Sequence, residues 1–310
     1  MKKNAGGIVE TVGIRSKALG ILKQYRIYLP HAYATSRMSY PVLYLFRGHE
    51  REWTNPYEDT TRGGRSIVDT LDELIASRAI TPMLVVMPGL SSQDNSIPGL
   101  GVDMRAPELA RYKKGIGTGR FACYFINDLI PHVERRFRAV PRRSQRAVDG
   151  FSLGGWTAML CAARNPHLFV SAGCYDGTHM WRALLDPRPE TKGIDAAWMT
   201  PELFDPVFGR PRDVEFMKNW NPTDIIATAR GESLRYLKSM SFHVQSAAFD
   251  GQKGNIDRAE HFVDVLKKIG ISNSFPTVVL ARNAVHSWRF ADMHMRQTLP
   301  RHALAFRSGD

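Results

Sequence analysis

Short apolar runs and amphipathic stretches alternate along the chain. "GIVETVGI" (7–14) and "LGILKQYRIYLP" (19–30) carry apolar residues at every second position. That is the spacing of half-buried strands, and their closeness in sequence predicts an antiparallel pair. "PVLYLF" (41–46) and "TPMLVVMP" (81–88) are continuously apolar, as strands covered on both faces of a parallel sheet are. Between them "SIVDTLDELIAS" (66–77) has helical spacing. "FACYFINDLIPHVERRF" (121–137) predicts an amphipathic helix with Pro131 inside or breaking it. A short strand, "QRAVDG" (145–150), and a helix, "GGWTAMLCAARNP", follow, the helix ending near Asn165 and Pro166. "LFVSAGCY" (168–175), "SFHVQSAAF" (241–249) and "PTVVLA" (276–281) predict further strands. "IDRAEHFVDVLKKIG" (256–270) and "RFADMHMRQTLPRHAL" predict the last helices. Strand–helix alternation of this kind predicts an α/β fold with a mostly parallel, doubly wound sheet flanked by helices. Residues 88–119 form a long Gly- and Pro-rich stretch, of the length that tends to carry function. Residues 176–240 are irregular and are read as a cap-like insertion over the carboxyl edge of the sheet, within a single domain spanning 1–310.

Composition changes this picture little. At 310 residues, 43% hydrophobic and 23% charged, the chain is long enough to bury a large core. It contains no apolar run near the roughly 18 residues of a membrane span. The opening "MKKNAGGIVETVGI" lacks the apolar stretch of a signal peptide, so the chain as given reads as cytoplasmic; a trimmed secreted form would look the same. Three cysteines, Cys123, Cys161 and Cys174, stand far apart in apolar segments, as small buried hydrophobes do. The net charge of +12 is spread out, and no nucleic-acid-binding motif accompanies it, so a solvated basic surface is expected rather than a nucleic-acid partner. Two motif-like stretches fail. "GIGTGR" (115–120) lacks the spacing and preceding strand of a dinucleotide loop. "HEREW" (49–53) lacks the second histidine of a zinc protease.

Chemistry concentrates in "GFSLG". Ser152 lies two residues after Gly150 and two before Gly154, with a predicted strand before it and a helix after it. This is the Gly-x-Ser-x-Gly nucleophile elbow, in which a strained turn lifts a serine hydroxyl above the sheet. The following helix directs its N-terminal N–H groups to the place where an oxyanion would form. Such a serine needs a histidine base and an orienting carboxylate, in the chain order Ser, acid, His. Of the histidines after the elbow, His286 lies in a loop beyond the last predicted strand and is the expected base. His261 and His243 fall within predicted elements, and His167 is too close to the elbow helix. Asp250 follows a predicted strand and is the expected acid, with Asp257 and Asp176 as alternatives. The N–H groups of Leu153 and His49 are the expected oxyanion donors. Trp181, Trp198, Trp220 and Trp288 could wall a substrate pocket, with Trp288 beside the expected base.

These blocks resemble the esterase family of α/β-hydrolases that includes feruloyl esterases, S-formylglutathione hydrolase, enterochelin esterases and mycolyltransferases. The resemblance is carried by "YRIYLP", "YPVLYLFRG", "FINDLIPHVERRFR", "RAVDGFSLGGWTAMLCAARNPHLF" and "HSW". It implies an α/β-hydrolase fold and a Ser152–Asp250–His286 triad cleaving carboxylic esters through an acyl-enzyme, with no metal or organic cofactor. The partner it implies is a small-molecule or carbohydrate-linked ester. Arg47 stands where the family usually has histidine before the glycine. An acyltransferase would use the same triad, and a non-catalytic binding protein could share the scaffold. Oligomeric state is not legible in the sequence.

Overall fold

The computed structural model describes residues 6–179, 200–249 and 254–307. Seven strands form one sheet: β1 (Ile8–Arg15), β2 (Leu22–Leu29), β3 (Val42–Phe46), β4 (Leu84–Pro88), β5 (Arg146–Gly150), β6 (Ser171–Tyr175) and β7 (Ser241–Gln245). Their spatial order is β1-β2-β4-β3-β5-β6-β7. β1 pairs antiparallel with β2, and β2 antiparallel with β4; every other pairing is parallel. The division follows the side chains. β1 and β2 alternate exposed and buried positions, whereas every residue of β3, β4, β5 and β6 is buried. A parallel strand is covered on both faces, so it is mostly apolar, and the polar exceptions in β5, Arg146 and Asp149, are bonded to Glu134 and to His294, His302 and Thr298.

On one face pack α1 (Ile67–Ala76) and the last helix, Trp288–Arg307. On the other lies the elbow helix, Leu153–Arg164, together with a helical run from Phe121 to Arg136. That run passes through a π-helical turn at Tyr124–Leu129, with Pro131 at the start of the α-helical turn Ile130–Arg136. Proline lacks an N–H to donate, and the first turn needs none.

Two expectations change. "PTVVLA" is not a strand. It meets the end of β7 through a single bridge, Ser246 to Val279, flanked by two backbone bonds. The stretch read as irregular is helical where described, with helices at Pro201–Phe208, Val214–Trp220, Pro222–Thr228 and Gly231–Lys238. Asp213 and Asn221 cap the second and third of these through their side chains. The short lengths and internal prolines hid their periodicity.

Candidate active site

The elbow forms at the carboxyl end of β5. Ser152 takes φ 57° and ψ −122°, a region that costs a residue with a Cβ about 1–3 kcal/mol. Its surroundings impose the turn. Ser152 N–H donates to Tyr175 O (3.0 Å), and its carbonyl accepts from Trp156 N (3.1 Å). The flanking glycines are required by contact. A Cβ on Gly150 would lie 2.3 Å from Gly154 O, and one on Gly154 would lie 2.1 Å from Phe46 O. At the first position of the elbow helix, Leu153 N–H has no partner among the described residues. It is one of the free N–H groups of a helix start and can meet developing negative charge.

His286 lies in the short segment before the last helix, and several bonds hold that segment in place. Tyr175 OH donates to Val285 O (2.8 Å), and Ala248 N–H donates to Ala284 O (2.9 Å). Beyond it, Trp288 N–H donates to Asp59 Oδ2 (3.1 Å) and Arg289 N–H to Thr61 Oγ1 (3.1 Å). Arg62, in the same loop as Asp59 and Thr61, binds both oxygens of Asp292 on that helix at 2.8 Å. The His286 ring rests on Phe151, the residue before Ser152, with centroids 4.7 Å apart.

The carboxylate that meets His286 is Asp176, directly after β6. Its Oδ2 accepts from His286 Nδ1. A carboxylate only accepts, so Nδ1 carries the proton and Nε2 of the neutral ring keeps its lone pair. Asp176 is fully buried and accepts further bonds from Ser246 Oγ (2.7 Å), Ala247 N (3.1 Å) and Asn255 Nδ2 (3.4 Å). Burial alone would raise its carboxyl. The hydrogen bond and charge of His286, with the bonds from Ser246 and Ala247, outweigh burial and hold it below the ordinary carboxylate range.

The expected acid, Asp250, lies outside the described residues, as do Trp181 and Trp198. Asp257 sits in the first turn of the helix Asn255–Lys268 and makes no bond to His286. Among the described residues, the structure thus pairs His286 with Asp176, one of the alternative acids of the sequence reading. What the sequence offered for it was an aspartate directly after the predicted strand "LFVSAGCY", one strand earlier than the position favoured.

Two further expectations are corrected. The His49 N–H is not free. It donates to Glu52 Oε2 (2.6 Å), which also accepts from Gly48 N (2.9 Å). The loop after β3 is so short that the Glu52 carboxylate folds back and satisfies its N–H groups. Trp288 is buried, packed edge-on against Trp53 (5.0 Å) and Phe151 (5.2 Å) beneath the Arg62 guanidinium. Its surface is spent on the core. Trp220 is likewise buried, with Arg164 stacked 3.8 Å from its ring centre. Arg47, in the family's histidine position, lies over Phe151, 5.1 Å from the ring centre, and 3.6 Å from Glu52.

Three other histidines, His243, His294 and His302, join a buried network. Asp149, three residues before Ser152, accepts from His294 Nε2 (3.1 Å), His302 Nε2 (3.0 Å) and Thr298 Oγ1 (2.9 Å). His302 continues to Ser171 Oγ (2.7 Å), which also meets His243 Nε2 (2.9 Å). Ser171, His302 and Asp149 thus reproduce the connectivity of a catalytic triad. All three have 0% exposure, so no substrate reaches them. The network ties the last helix to the sheet beneath the elbow.

The family described as "Putative esterase" matches residues 16–235 of the chain, more than half of its length. The chain belongs to this family. A curated relative, an endo-1,4-beta-xylanase/feruloyl esterase of Xylanibacter ruminicola, is 27% identical over 190 residues, covering 59% of this chain and 23% of that protein. The chain thus spans under a quarter of that relative's length. Among solved structures, a ferulic acid esterase superposes with a TM-score of 0.74 at 20% identity, covering 97% of this chain and all of that one. An S-formylglutathione hydrolase from Agrobacterium tumefaciens gives 0.69 at 18% identity, covering 97% and 96%. At such identities the superpositions establish the α/β-hydrolase fold.

Proposed function

We propose that this esterase-family protein hydrolyses carboxylic esters of small molecules or carbohydrates through Ser152, His286 and Asp176. The observation that carries the reading is the bond from His286 Nδ1 to the buried Asp176 carboxylate, on a ring packed against the residue before the elbow serine. Ser152 Oγ attacks the acyl carbon while its proton passes to His286 Nε2. Asp176 keeps the ring in the tautomer that can accept that proton and stabilises the imidazolium. Leu153 N–H binds the oxyanion. The carbon–oxygen bond to the alcohol breaks, and the alcohol leaves with the proton from His286. Water, deprotonated by the same nitrogen, then releases the acid and frees Ser152. Family membership and the names of the relatives support a carboxylic ester as substrate.

The test combines fluorophosphonate labelling with turnover of aryl acetates, feruloyl esters and sugar acetates. Labelling is expected at Ser152 and should be lost in Ser152→Ala. Failure of the folded native protein to label or to cleave any ester would overturn the reading. Products formed in the presence of added alcohols separate hydrolysis from acyl transfer.

A further inference from the structure

Beside the loop after β3 the sheet edge opens into a cleft of about 590 Å³. Its floor is β2, and its far wall is the glycine-rich stretch 113–117. Five cations line it, Lys23, Arg26, Arg51, Lys113 and Lys114, against one carboxylate, Glu50. Glu50 is already engaged, 3.0 Å from His49 Nδ1, and Lys113 is paired with Asp94. Arg51 and Lys114 have no ion-pair partner among the described residues. Arg26 Nε is buried and has no hydrogen-bond partner among the described residues, while the same guanidinium bonds Thr54 Oγ1 through Nη1. Lys23 is buried at the floor, held by the carbonyls of Ser91 and Gly115, which leaves one of its three ammonium protons unassigned. Burial pulls its ammonium down to about 8, with the Glu50 charge acting in the opposite sense, so it remains a cation at neutral pH. Lys23 is buried and Arg26 and Lys113 are half-buried, while Arg51 and Lys114 are exposed; together they give the cleft an excess of positive charge that attracts an anionic group.

The cleft adjoins the candidate catalytic centre. Its wall includes His49. Two residues earlier, the Cα of Arg47 would lie 2.7 Å from a Cβ on Gly154 of the elbow. Two peptide units span at most about 7.6 Å. Cleft and elbow are therefore neighbours across the loop after β3, while Ser152 itself does not line the cleft.

We propose that this cleft is an anion subsite, which holds a phosphate or carboxylate group carried by the ester substrate while the ester bond lies at Ser152. Its place in catalysis rests on the ester-hydrolase reading above; its capacity to bind an anion does not. The stretch "KKGIGTG" then supplies the two lysines of the wall rather than a nucleotide loop.

Binding is tested in Ser152→Ala protein by calorimetric titration with inorganic phosphate, which needs no chemistry. Phosphate should bind, and binding should weaken with added salt. Arg51→Ala with Lys114→Ala removes two charge-assisted contacts, each worth roughly tenfold in affinity. The double variant should therefore bind phosphate at least tenfold more weakly, and Lys268→Ala, on the surface elsewhere, as the native protein does. In otherwise native protein, the ratio of kcat/KM for a phosphate- or carboxylate-bearing acetate ester to that for p-nitrophenyl acetate should fall at least tenfold in the double variant, mainly through KM. No phosphate binding, or binding unchanged in the double variant, overturns the subsite. Phosphate binding that depends on Arg51 and Lys114, in a protein that cleaves no ester, leaves the anion site standing and overturns the hydrolase reading instead. An unchanged substrate ratio despite such binding removes the subsite from the reaction.

Discussion

Replacing Asp176 by asparagine separates the orienting role of this residue from its structural one. Oδ1 accepts from Ser246 Oγ and Ala247 N, while Oδ2 faces His286 Nδ1 and Asn255 Nδ2. An asparagine carbonyl can keep the first pair of bonds. Its amide then faces His286 as a donor, and the ring can accept only by moving its own proton to Nε2. In that tautomer it no longer accepts the Ser152 proton. Loss of an equivalent orienting acid lowers turnover on the order of 10,000-fold, about 5 kcal/mol of transition-state stabilisation. Stability should suffer far less, by about 1–3 kcal/mol for one altered charged bond. Alanine at the same position leaves Ser246 Oγ and Ala247 N buried without an acceptor, at about 1–3 kcal/mol for each, and should unfold the protein at visibly lower temperature. Turnover of p-nitrophenyl acetate, read beside melting by circular dichroism, makes the comparison, with Asp250→Asn as the parallel variant. A folded Asp176→Asn protein within tenfold of native activity would refute the reasoning. A large loss in Asp250→Asn instead would return the acid to the loop after β7.

Ser152→Ala should lower ester turnover by on the order of a million-fold while melting within a few degrees of native, as the strained backbone is retained; near-native activity would exclude this nucleophile. Gly154→Ala forces a methyl group to 2.1 Å from Phe46 O and should cost about 3 kcal/mol or more, read as a lowered denaturant midpoint at unchanged slope. Stability should also depend on pH through buried histidines. Burial, aided by the Arg258 charge, brings His179 down to about 3, below the 6.5 of an exposed histidine. The unfolded chain therefore takes up the proton first, and stability declines below about pH 6.5, by about 2 kcal/mol at pH 5 from this group. His179→Phe should flatten that decline, and an identical pH profile would exclude it as the source. Asp149 and Asp176 act in the same sense but at lower pH. Both carboxyls are held low in the fold, so their contribution is complete above the unfolded value near pH 4 and is lost only as pH falls through the lower folded values.

Local pattern determined much of this protein. Continuous apolar runs marked β3 and β4, and alternation marked the β1–β2 hairpin, because the number of covered faces dictates which positions must be apolar. The elbow was legible for the same kind of reason. Only glycine fits at positions 150 and 154, so the steric requirement is written in five consecutive residues. His286 could be singled out because few histidines lie in a loop beyond the last apolar run. The carboxylate was not legible. Asp176 and Asp250 both follow buried strands, and nothing in one dimension says which strand end faces the histidine loop. Position 176 meets His286 only because β5, β6 and β7 lie side by side and Tyr175 holds the carbonyl of Val285. Glu52 on the His49 N–H, the burial of Trp288 and the cationic cleft beneath "KKGIGTG" arise in the same way. Each depends on contacts between segments remote in sequence or on how a short loop closes. Those are set by which surfaces the sheet order brings together, and not by the spacing of residues along the chain.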